Sequence, residues 1–115
     1  MFSRINRLAK EGDIVRVLRK GRKFFDPFFT LRMYFSPEVT VPRFAIVVST
    51  KVSKKATRRN RIRRMMRERL RTHVTGIRPG DYLIQVQPRI IQMSEVEQQR
   101  AFIELLHKAR VIPKQ

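Results

Sequence analysis

The sequence contains no cysteine and no tryptophan, and only nine of its 115 residues are acidic. Without cysteine the chain has neither a disulfide framework nor a thiolate metal site, which fits a reducing cytoplasm. No apolar run approaches the roughly 20 residues that span a bilayer, and the N-terminus lacks the apolar core of a signal peptide. A cytoplasmic protein with no membrane partner is therefore expected. The four glycines form no phosphate-cradling loop. Two histidines, His73 and His107, and carboxylates scattered from Glu11 to Glu104 complete the sparse inventory. No metal triad and no paired acid and base can be read from their spacing, so no catalytic residue and no bound metal or other cofactor is expected on the chain itself.

Positive charge is what the chain has in excess. Its 27 Lys and Arg give a net charge of +18 and a pI near 11.8. Such a chain calls for a polyanionic partner, because each phosphate it neutralises releases condensed counterions. Nucleic acid leads. An anionic membrane surface fits less well, since the apolar residues of the most basic segment are Met, Ile and Leu without Trp or Phe.

That segment is 51–71, which holds 11 of the Lys and Arg residues within a stretch free of acids from Glu38 to Glu68. A block of like charge usually means a disordered tail. Here Ile62, Met66 and Leu70 recur at i, i+4 and i+8 with Met65 beside them, and a helix would bury that stripe. At 100° per residue Asn60, Arg63, Arg64, Arg67 and Arg71 fall on the opposite face, flanked by Arg61 and Glu68. Arg58, Arg59 and Arg69 fall nearer the apolar arc, the first two in an entering turn. Arginine outnumbers lysine here by eight to three, and a planar guanidinium donates two parallel hydrogen bonds to a phosphate.

Read in order, the chain is a single domain over residues 1–115, with 1–8 a loosely ordered arm. A short helix over 11–20 carries Ile14, Val17 and Leu18 on one stripe, acids in its first turn and bases in its last, and Gly21 stops it. Strands follow over 22–25, 28–35 and 43–50. On the second, Phe29, Leu31, Met33 and Phe35 face one way, and Thr30, Arg32 and Tyr34 the other. After the basic helix, 81–87 reads as a central strand ended by Pro88. Ser94 and Glu97 form a capping box for a last helix whose apolar set is Val96, Phe102, Ile103, Leu105, Leu106 and Ala109. The expected fold is an α+β two-layer sandwich in the order α-β-β-β-α-β-α, with helices on one sheet face. Among aromatics that could stack on unpaired bases, Tyr34, beside Arg32 on the wetter face, is favoured over Phe24, Phe25 and Phe28.

The run Lys54-Lys55-Ala56-Thr57-Arg58-Arg59-Asn60-Arg61-Ile62-Arg63-Arg64, followed by Arg67-Glu68, closely resembles the signature of the bacterial ribonuclease P protein subunit. The resemblance runs along nearly the whole chain, through Gly21, the strand into Val47-Val48-Ser49, Asp81-Tyr82 and the final helix. It implies a protein that binds a catalytic RNA and the 5′ leader of precursor transfer RNA and assists leader removal. In that picture the RNA, with Mg²⁺, performs the hydrolysis, the protein alone is inactive, and no protein partner is required. Carried over by position, Lys54, Lys55, Arg58, Arg59, Asn60, Arg61, Arg63, Arg64, Arg67 and Arg71 would meet the catalytic RNA. Ile14, Leu18, Arg32, Tyr34, Ser49 and Lys51 would lie in or near the leader cleft. The resemblance also implies an uncommon left-handed β-α-β crossover, against the general rule. Three departures stand out. Ile14 and Leu18 are aliphatic where members often place phenylalanine, Thr50 replaces the first lysine of a common pair, and 85–89 lacks a basic pair often present there. A structural ribosomal protein or RNA chaperone would explain the charge but not the long signature.

Overall fold

The central strand, Gly80–Val86, is buried at every position but Gln85. Both faces of such a strand must be covered, and that requirement sets the architecture. The structure, a computed structural model, describes residues 4–112. Its elements are α1 (Glu11–Lys20), β1 (Arg22–Phe25), β2 (Phe29–Tyr34), β3 (Pro42–Val47), α2 (Ala56–His73), β4 (Gly80–Val86) and α3 (Glu95–Lys108), in the expected order. Short 3-10 turns occupy Arg4–Asn6, Val74–Gly76 and Pro88–Gln92. The sheet order is β1-β2-β4-β3. β1, β2 and β4 run antiparallel, while β3 pairs with β4 in parallel, so α2 makes the crossover that parallel neighbours need.

One face of the sheet carries the larger core. Phe29 and Leu31 from β2, Phe44 from β3, and Tyr82, Ile84 and Val86 from β4 meet Ile62, Met66 and Leu70 of α2 and Phe102, Leu105 and Leu106 of α3. The ring centroids of Phe29 and Phe102 are 5.6 Å apart, and Phe44 stacks on Tyr82 at 5.1 Å. Each large side chain buried here contributes roughly 1.5–3 kcal/mol. Burial pushes the Tyr82 phenol up to about 12, and its hydroxyl donates to the Arg78 carbonyl at 2.6 Å.

The opposite face corrects the expected helix placement. α1 does not join the other helices. It packs on the second face, where Leu8, Val17 and Leu83 form a separate core with Ile14, Tyr34 and Ala45. The reason is Leu83, an apolar residue pointing away from the main core, which α1 covers while Gln85, further along the same face, stays exposed. Gly21 lets the end of α1 turn tightly into β1: a Cβ there would lie 2.4 Å from the Val17 carbonyl oxygen.

Other boundaries shift for local reasons. The arm expected over 1–8 is fastened from Arg4 onward, and residues 1–3 lie outside the described residues. Asn6 donates to the Pro42 carbonyl at 2.8 Å, Arg7 bridges to Phe44 and Leu8 is buried. β3 stops at Val47 instead of running to 50, because Ser49 to Val52 closes a turn. In α3, Val96 is 64% exposed, and the buried position belongs to Gln98, whose amide nitrogen donates to the Ile90 and Met93 carbonyls, both at 3.1 Å.

Candidate nucleic-acid interface

α2 presents its arginines from a fixed platform, with Ile62, Met66 and Leu70 buried beneath it. Its start is unusual for a helix. Lys55 occupies the N-cap without a side-chain bond, and the first turn has no acid. The exposed backbone N–H groups and the positive dipole end therefore meet Lys54, Lys55 and Arg58, a combination that favours a bound anion. Arg58 and Arg59, expected in an entering turn, lie inside the helix from Ala56 onward. The Arg59 guanidinium turns back to donate to the Ser53 and Lys54 carbonyls, both at 3.0 Å, and so braces the loop that carries Lys54.

The basic arc expected opposite the apolar stripe divides into two flanks, because the sheet edge rises on one side of α2 and α3 on the other. Toward β3, Arg63 bonds Asn60 and reaches the Val48 carbonyl at 3.4 Å. Arg67 leans into a recess shared with Arg7, Leu8 and Phe44. Burial, then repulsion from Arg7 and Arg63, lowers the Arg67 pKa, although the group stays charged. A phosphate placed among these three cations would relieve that repulsion.

Toward α3, Arg58, Arg61 and Arg64 rim a groove of about 870 Å³ with Ile62, Met65 and Met93 in its lining. The Arg61 Nε sits 2.5 Å from Glu95, and Arg71 pairs with Glu68 at 2.5 Å, both in the open. The Arg71 pair raises that guanidinium's pKa and lowers the carboxyl's, each through the shared hydrogen bond. Among the described residues no carboxylate pairs with Arg58, Arg59, Arg63, Arg64 or Arg67.

The other group of expected residues is divided among the second sheet face, α1 and the turn past β3. Register aligns three rows across the strands: Tyr34–Asp81–Arg43, Lys23–Arg32–Leu83–Ala45, and Phe25–Thr30–Gln85–Val47. Ile14 and Tyr34 meet under α1, and Arg32 lies one row further out. Leu18 is half exposed on α1, and Ser49 and Lys51 lie in the turn past the end of β3. The row nearest the helix is locked by a four-charge network that spacing alone could not reveal. Asp81, fully buried, accepts from Arg43 at 2.7 and 2.8 Å and from Arg16 at 3.4 Å. Asp13 pairs with the same two guanidiniums at 3.2 and 3.5 Å. The Arg43 pKa is raised, chiefly by its hydrogen bond to Asp81. Asp13 and Asp81 thus neutralise arginines that hold α1 to the sheet, and neither is placed as an acid or base.

Elsewhere, among the described residues, no group of three His, Asp or Glu lies together where a metal ion could be held. His73 is partly buried with its Nδ1 2.9 Å from the Arg69 carbonyl, and His107 is half-buried near the end of α3.

A basic helix ending one crossover and an open, cation-lined sheet face describe a nucleic-acid binder, and comparison with known proteins decides which kind. The family model described as Ribonuclease P matches residues 2–110. The chain belongs to the ribonuclease P protein family. It is 30% identical over 112 residues to the ribonuclease P protein component of Xanthomonas axonopodis pv. citri, covering 97% of this chain and 76% of that protein. Its fold matches the Staphylococcus aureus RNase P protein with a TM-score of 0.88 at 26% identity, covering 94% and 98% of the two chains. The Thermotoga maritima RNase P protein matches with a TM-score of 0.75 at 25% identity, covering 93% and 100%. The chain is accordingly a component of ribonuclease P, a ribonucleoprotein endoribonuclease of transfer RNA processing, and partners an RNA subunit. Among the described residues no helix is long and apolar enough to cross a membrane.

Proposed function

We propose that α2 holds the catalytic RNA and that the second sheet face, beside α1, holds the 5′ leader of precursor transfer RNA. The observation that carries this reading is the set Arg58, Arg59, Arg63, Arg64 and Arg67 on α2, held on a buried platform yet without carboxylate partners among the described residues. Repulsion of this kind destabilises a protein unless a polyanion answers it. Arg58 and Arg64 supply bidentate contacts to phosphates on one flank, and Arg63 and Arg67 on the other. Asn60 orients Arg63. Lys54 and Lys55 add charge at the helix N-terminus, where backbone N–H groups also face the RNA. Arg32 on the sheet and Ser49 and Lys51 in the turn past β3 follow the leader backbone, while Ile14, Leu18 and the exposed part of Tyr34 make apolar contact with its bases.

Mg²⁺, held by the RNA, supplies the hydrolytic chemistry. The protein's own contribution is to screen phosphate repulsion between leader and catalytic RNA, so that less Mg²⁺ is needed. It works in the cytoplasm without a further protein subunit.

The experiment is cleavage of a precursor transfer RNA by the catalytic RNA at low Mg²⁺, with and without this protein. A mature 5′ end that depends on the protein, with the protein alone inactive, is the expected result. Salt-sensitive RNA binding without stimulation by the cognate RNA would instead favour a structural or chaperone role. Cleavage by the protein alone would overturn the assignment of catalysis to the RNA.

A further inference from the structure

Two aromatic rings point from the same sheet face, and only one is largely exposed. Tyr34 is half-buried, and the Arg16 guanidinium carbon lies 4.8 Å from its ring centroid. Because Arg16 is itself held by Asp13 and Asp81, that ring face is closed. Phe25, on the edge strand β1, is 69% exposed. Lys23, two residues earlier on the same strand face, places its Nζ 5.6 Å from the Phe25 ring centroid. The core has no use for Phe25; Phe24 is the neighbour that packs inward.

The surroundings select an occupant. Phe25 ends the row Phe25–Thr30–Gln85–Val47, in which Thr30 and Gln85 are polar and no residue is acidic. Lys23 and Arg32 stand side by side in the next row. Asp26 follows Phe25 in the chain, but its Oδ1 accepts the N–H groups of Phe28 and Phe29 at 2.8 and 2.9 Å, which ties the carboxylate into the turn. Thr30 is buried with its hydroxyl bonded to Gln87, so Gln85 is the open polar side chain of that row, and an exposed ring bordered by cations and an amide fits an unpaired nucleobase with its phosphate. A second copy of the chain fits poorly, since each copy brings a charge of +18.

We infer that Phe25 is a base-stacking platform for one unpaired leader nucleotide, with Lys23 on its phosphate, carrying the leader path from the α1 side out to the β1 edge. This rests on the leader-binding reading above. The test assembles the protein with its cognate catalytic RNA and measures affinity for precursor transfer RNAs whose leaders lengthen one nucleotide at a time. A parallel series places 2-aminopurine at successive leader positions. With the native chain, affinity rises with leader length, and fluorescence at one position is quenched. Phe25→Ala should remove one increment, roughly tenfold in affinity, and abolish that quench while leaving the shortest leaders unaffected. Phe25→Tyr should restore both.

If the native complex shows leader dependence and Phe25→Ala reproduces it at every length, the platform is overturned and the proposed function stands. If the native complex shows no leader dependence at all, the leader-binding reading itself fails. Self-association that Phe25→Ala abolishes, with leader affinity intact, would assign the ring to a second copy and also overturn the inference.

Discussion

α2 and α3 lie on the same sheet face and each buries an apolar stripe, yet they obey opposite rules at their N-termini. α3 begins with a complete capping box: the Glu97 N–H donates to the Ser94 hydroxyl at 3.2 Å, and the Ser94 N–H donates to the Glu97 carboxylate at 2.9 Å. Glu95 and Glu97 fill its first turn, and His107 and Lys108 its last. α2 begins on Lys55 with no side-chain cap and no acid, and carries a single glutamate among its arginines. α3 is optimised for the isolated protein. α2 is completed only by something negative that the chain does not supply. Broken local rules of this kind concentrate at functional sites.

The widest separation between the two helices should appear in RNA binding. Replacing Arg63 and Arg67 together with Ala should weaken binding to the catalytic RNA roughly tenfold or more and flatten the salt dependence by about two units of slope. Thermal stability should hold or rise, because the repulsion among Arg7, Arg63 and Arg67 disappears. A salt titration and a melting curve on the same variant decide it; a large loss of stability would make these arginines structural.

Ser94→Ala should do the reverse, costing about 1 kcal/mol of stability with RNA affinity unchanged. The same cap carries a pH signature. Hydrogen bonds from Ser94 hold the Glu97 carboxyl below its ordinary value of 4.5. Its stabilising effect is therefore present above that value and fades as pH falls through the lowered one. Acid denaturation of the native chain and a Glu97→Ala variant should converge at the low end, because the titrating carboxylate that accepts the Ser94 N–H is gone from the variant; parallel curves would sink this account.

Giving α2 what α3 has should exchange one property for the other. Lys55→Asp supplies a cap and a favourable charge at the N-terminus, and should add roughly 0.5–1 kcal/mol in chemical denaturation. The same change should weaken RNA binding, and stronger binding would contradict the role given to the uncapped end. The smallest effect belongs to the contact between the two helices. Glu95→Gln breaks the exposed pair with Arg61 and should change stability by less than about 0.5 kcal/mol. Freed of its carboxylate, Arg61 should raise RNA affinity slightly, with a steeper salt slope; an unchanged slope would mean that Arg61 faces no phosphate.

Much of this was legible because it is local. Ile62, Met66 and Leu70 recur at helical spacing and are buried. Glu11 and Asp13 stand in the first turn of α1 and Gly21 ends it, and Ser94 and Glu97 form the predicted box. The two faces of β2 part as expected, with Leu31 in the larger core and Tyr34 beside α1, although Thr30, expected on the wetter face, is buried. The long basic signature fixed the family, since the order of side chains along one helix survives without knowledge of what surrounds it. What tertiary structure alone decided involves partners far apart in the chain. Asp81 meets Arg16 across 65 residues, α1 crosses to the second face to cover Leu83, and the arginines of α2 divide between the β3 edge and α3. Tyr34 and Phe25 show the difference most simply. Sequence favoured Tyr34 as the open ring because it sits on the wetter face, but exposure depends on what packs above a face, and Arg16 arrives there only when α1 docks.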